Sequence, residues 1–79
     1  MARYFFHLRD GHDQLLDPDG IELPDHRAIE ATALKSARDT LSQELRAGRL
    51  DLRYRIDVED ERGSVVHSIE LADAFETIR

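Results

Sequence analysis

Residues 50–71 read LDLRYRIDVEDERGSVVHSIEL, and their pattern decides the fold class. From Leu50 to Glu59 the apolar residues Leu50, Leu52, Tyr54, Ile56 and Val58 alternate with Asp51, Arg53, Arg55, Asp57 and Glu59. Successive side chains of a strand point to opposite faces, so a period of two predicts a strand with one buried and one solvated face. The segment after it, Glu59-Asp60-Glu61-Arg62-Gly63, is polar and ends in glycine. That marks a hairpin connection somewhat longer than two residues. The same alternation on the return strand sends Val65, His67, Ile69 and Leu71 to the core face and Val66, Ser68 and Glu70 to the other.

A half-buried hairpin needs a second layer, and the sequence upstream supplies it. Residues 25–48 predict one long helix. Asp25 is placed to accept a free first-turn N–H, and Gly48 is placed to end the helix in a left-handed conformation. Arg46 and Arg49 lie at the negative end of its dipole. Leu34, Leu41 and Leu45 recur at helical spacing with Ala31 and Ala37 beside them, opposite Thr32, Ser36, Asp39 and Gln43. Arg27 and Arg38 fall on the shoulder of the stripe, where their stems cover apolar surface. A sharper role for Arg38 is to anchor a buried carboxylate.

Upstream again, residues 3–9 (RYFFHLR) split into Tyr4, Phe6 and Leu8 on one strand face and Arg3, Phe5 and His7 on the other. Asp10-Gly11 and Asp17-Pro18-Asp19-Gly20 supply turn chemistry, with a short second strand or two half-strands near 14–16 and 20–23. At the other end, residues 72–79 predict a short terminal helix that tucks in Phe75 and Ile78. The expectation is a single α+β domain over residues 1–79: a small antiparallel sheet of three to four strands in the order β-β-α-β-β, with one long helix packed on one face.

Composition narrows the function classes. A chain of 79 residues buries only about 60–65% of its unfolded surface, so self-association is a natural extra stabiliser. There are no cysteines, which fits a cytoplasmic location, and no apolar run has the roughly 20 residues of a membrane span. The N-terminus lacks the basic-then-apolar pattern of a signal peptide. Charge is divided along the chain: residues 1–25 carry a net −4, residues 26–55 a net +3 and residues 56–79 a net −5. An acidic whole disfavours a phosphate backbone as partner, and alternating acidic and basic blocks suit head-to-tail contacts between copies.

The segments RYFFHLRDG, DPDGIELPD, LRAG and ELADAF, with the alanine-rich helix between them, resemble a family of short bacterial proteins, often alphaproteobacterial, catalogued as a domain of unknown function. The resemblance covers nearly the whole chain and implies a stand-alone cytoplasmic domain. It brings no activity, substrate or catalytic residue. His26 and His67 stand where that family's pattern has apolar residues.

No motif of known chemistry emerges from the residues. His7, His12, His26 and His67 are scattered, with no i, i+4 pair of the two-histidine metal type. His7 and His67 fall on opposite sheet faces, which rules against a shared site, and a partly buried His67 is a candidate for pH-dependent packing. Asp10, Asp13, Asp17, Asp19 and Glu22 crowd the first turns without the spacing of a calcium loop. There is no nucleophile elbow, cysteine nucleophile or phosphate-cradling glycine loop. The expectation is therefore no enzyme, no cofactor and no metal. The solvated sheet face is the candidate contact surface, with Phe5, His7, Arg53, Arg55 and Val66 as its residues. Aromatic and arginine side chains are enriched at interfaces, and such a face suits symmetric pairing into a homodimer or contact with another protein. An alternative is nucleic-acid contact through Arg53, Arg55 and Phe5, opposed by Asp57, Glu59 and Glu70.

Overall fold

A computed structural model of the chain describes residues 1–75. Its elements are β1 (Ala2–Arg9), β2 (Gln14–Leu15), β3 (Ile21–Leu23), α1 (His26–Arg46), β4 (Arg55–Glu59), β5 (Val65–Glu70) and a 3₁₀ turn, Leu71–Asp73. The expected α+β class holds, and every strand pairing is antiparallel. β1 lies between β2 and β4, β5 forms the far edge, and β3 also pairs with β1.

β2 and β3 are the two halves of one interrupted strand. β2 pairs Leu8 with Leu15, and β3 pairs Tyr4 with Ile21. Between them residues 16–20 face residues 5–7, so the chain must bow outward. The carboxylate of Asp17 fills the resulting gap in the ladder. Its Oδ2 accepts the Phe6 N–H at 3.2 Å, and its Oδ1 accepts the N–H groups of Asp19 and Gly20 at 3.2 and 3.1 Å. An orphaned strand donor is thereby satisfied by a side chain instead of a neighbouring strand.

The helix ends follow the sequence. The Asp25 carboxylate accepts the Ala28 N–H at 2.9 Å. At the other end Gly48 takes φ +80°, while Gly48 N–H reaches Leu45 O and Arg49 N–H reaches Glu44 O. This is the paired closure that a left-handed glycine permits. The buried stripe differs from the expected one. Ile29, Ala33, Ala37 and Leu41 are buried, Leu34 is at the margin, and Ala31 and Leu45 are exposed. The core sets this stripe against Ile56, Val58, Leu71, Ala74 and Leu23. The two fully buried alanines leave room for the helix to approach the sheet closely.

The decisive stretch departs from simple alternation twice. The strand begins at Arg55, not Leu50. The Asp51 carboxylate accepts the Arg53 backbone N–H at 3.0 Å and is gripped by the Arg53 guanidinium at 3.0 and 2.9 Å. A local side-chain turn thus competes with the ladder and leaves Leu50 and Leu52 exposed. The second departure is a register shift at Val58/Glu59: Val58 pairs with His67 while Glu59 pairs with Val65. Val66 is the extra residue of a β-bulge, and a one-residue bulge reverses the faces of everything before it. Val66 therefore packs against the core, and Val65 is the exposed one. At the C-terminus, Leu71 and Ala74 are buried, but Phe75 is exposed, contrary to expectation. Ile78 lies outside the described residues.

Candidate interaction surface

The sheet face away from α1 holds part of the predicted contact set and covers most of it. Phe5, His7 and Arg9 stand opposite Glu59, Asp57 and Arg55. The Phe5 and His7 rings stack with centroids 6.3 Å apart. The 17–20 turn closes over them. Asp17 N–H donates to His7 Nδ1 at 3.1 Å, and Arg3 reaches Asp19 O at 2.8 Å. His7 is only 8% exposed. Accepting at Nδ1 leaves the imidazole proton on Nε2, which lies 3.5 Å from a Glu59 oxygen.

Around this pair the face is an internally neutralised network. Arg9 donates to Glu59 at 2.7 Å and to Asp57 at 3.1 Å. Arg55 Nε and Ser68 Oγ complete the Asp57 shell at 3.1 and 2.8 Å. Burial disfavours the Asp57 anion, but these hydrogen bonds outweigh it and hold its carboxyl below the usual range. Bonds to Glu59 and Asp57 raise Arg9 in turn. Among the described residues no buried side-chain nitrogen or oxygen lacks a partner. Such a face has its polar groups spent on one another.

Of the predicted residues, the structure brings Phe5, His7 and Arg55 together. Val66 is turned into the core by the bulge, and Arg53 sits in the 51–54 turn, where it holds the Asp51 carboxyl down at about 2. Both arginines on which nucleic-acid contact would rest are therefore tied to carboxylates. Among the described residues Arg38 anchors no carboxylate. Its Nε donates to the Ala74 carbonyl at 2.9 Å, strapping the 3₁₀ turn to the helix. One pair was missed: His26 at the helix start meets His67 on β5 edge to face, with centroids 5.6 Å apart. Among the described residues no group of three or more metal-ligating side chains assembles.

Unsatisfied apolar surface lies instead on the flanks of α1. On the side of the 3₁₀ turn, Arg38, Leu41, Ser42, Leu45, Leu50 and Phe75 line a groove of about 390 Å³. Leu45 there is 63% exposed. On the opposite flank Leu15 and Leu16 form a ridge, 70% and 51% exposed, beside Ser36 and Thr40. The signal for the groove was present in the sequence: Leu45 fits the helical stripe, yet it lies beyond the reach of the short sheet.

A family model described as Domain of unknown function (DUF6894) matches residues 3–72. The chain belongs to that family. The DUF6894 match runs from β1 into the 3₁₀ turn, so the ridge and, among the described residues, the groove lining other than Phe75 lie within it. No curated protein and no solved structure matches the chain.

Proposed function

We propose that this DUF6894 domain is a small interaction module that associates with further copies of itself, and that it does so through the flanks of α1 and not through the open sheet face. The observation that carries this reading is the groove. Three large apolar side chains, Leu45, Leu50 and Phe75, are exposed around it in a chain with a small core. Covering apolar surface gains roughly 25 cal/mol per Å², and a small domain has few other reserves. The sheet face offers the opposite: a covered aromatic pair and charges that already have partners. No helix among the described residues is long and apolar enough to cross a membrane.

Sedimentation velocity across a concentration series tests the reading. The wild-type mass rises with concentration. Leu45→Asp abolishes the rise, while Phe5→Asp, if folded by circular dichroism, leaves it intact. A wild-type chain that stays monomeric at millimolar concentration overturns self-association, and loss of association in the Phe5 variant alone returns the contact to the sheet face.

A further inference from the structure

The two flanks of α1 differ in charge, and this fixes how copies would meet. The inference rests on the self-association reading and specifies its geometry. The ridge of Leu15 and Leu16 lies within residues 10–22, which hold five carboxylates and no lysine or arginine. Asp13 and Asp19 have no ion-pair partner among the described residues, and the carboxylates of Asp10 and Asp17 accept backbone N–H groups and make no ion pair there. The groove on the other flank has one charged side chain in its lining among the described residues, and it is a cation. Arg38 lines the groove, donates to the Ala74 carbonyl, and makes no ion pair among the described residues. Arg46 follows Ser42 at i+4 along the same rim, and it makes no ion pair among the described residues.

A two-fold interface sets each patch against itself. Groove on groove would oppose Arg38 and Arg46 with their own copies, and ridge on ridge would oppose the aspartates. Like charges brought together at an interface are costly. Only ridge on groove matches apolar with apolar and acid with base. We propose that copies join head to tail, the Leu15–Leu16 ridge of one chain seating in the Leu45–Leu50–Phe75 groove of the next, with the aspartates of the ridge facing Arg38 and Arg46. Because ridge and groove lie on opposite flanks of α1, each chain presents one free ridge and one free groove, and association continues beyond a pair.

A mixing experiment tests the arrangement. Leu45→Asp disables the groove and keeps the ridge; the double variant Leu15→Ser, Leu16→Ser disables the ridge and keeps the groove. All three positions are exposed, so both proteins fold, which circular dichroism checks. Each alone associates at least about tenfold more weakly than wild type, the loss of roughly one interface anchor. Mixed in equal amounts they form a one-to-one complex that grows no further, while the wild type forms larger species. The charge-only variant Arg46→Glu weakens association, and the wild-type complex weakens as salt rises. If the wild type associates but the mixture shows no recovery, the head-to-tail arrangement falls and self-association stands. If the wild type does not associate at all, both fall.

Discussion

Gly20 occupies a position that no side chain fits. Its φ is +69°, and a Cβ there would lie 2.8 Å from the Tyr4 carbonyl oxygen and 2.8 Å from the Phe5 ring. The left-handed conformation alone costs an L-residue about 1–2 kcal/mol, and a backbone carbonyl cannot swing aside. Gly20→Ala is therefore expected to lose about 2 kcal/mol or more in urea unfolding. Its neighbour Asp17 holds the same turn through three backbone N–H groups. Asp17→Ala strands the part-buried Phe6 donor and is expected to cost about 1–3 kcal/mol, with faster amide exchange at Phe6. Burial would raise the Asp17 carboxyl, but the N–H bonds from Gly20, Phe6 and Asp19 prevail and lower it. Asp57 is lowered in the same sense. A carboxyl lowered in the folded state contributes stability that is complete above its unfolded pKa, about 3.9, and is lost as pH falls through the folded value. Thermal melts should thus show no pH dependence from these two groups between pH 7 and 5, where their stabilisation is complete, and a decline below about pH 4. That decline should be shallower in Asp17→Asn and Asp57→Asn.

The elements divide into those set by local chemistry and those set by a neighbour. The helix was legible because Asp25 and Gly48 act on their own turns, and Asp25→Ala should cost about 1 kcal/mol by thermal melting. The half-strands were legible because Asp17-Pro18-Asp19-Gly20 interrupts a pattern that resumes on either side. The β5 register was not legible. Val65 and Val66 are chemically alike, and only the partner strand decides which of them the bulge turns inward. Alternation over Leu50–Tyr54 misled for a related reason, because the Asp51–Arg53 contact is invisible to a hydropathy pattern. The candidate face was half legible: Phe5, His7 and Arg55 do share it, but the turn that covers them comes from ten residues further along the chain. The bulge makes a sharp contrast between adjacent valines. Val65→Lys, beside Glu59, should change stability by no more than about 0.5 kcal/mol, while Val66→Lys should cost about 1–3 kcal/mol in urea unfolding. Equal effects would place the register where simple alternation puts it.

At the scale of the molecule, one sheet face is closed by its own charges and by the 17–20 turn, while the helix layer leaves apolar side chains exposed on both flanks. The two histidines joined by folding, His26 and His67, fasten the start of the helix to β5 and belong to the framework. The Leu15–Leu16 pair lies in an acidic stretch of the chain and Arg38 lines the groove on the other flank of α1. The measurement that tests the central claim most directly is a dilution series followed by backbone amide chemical shifts at residue resolution. The account predicts concentration-dependent shifts in two separate patches, Leu15–Leu16 with the neighbouring aspartates and Ser42–Leu50 with Phe75, while Phe5, His7, Asp57 and Ser68 stay fixed. Shifts confined to Phe5, His7, Ser68 and Glu70, or spectra that do not change from the lowest concentration to the highest, would contradict it.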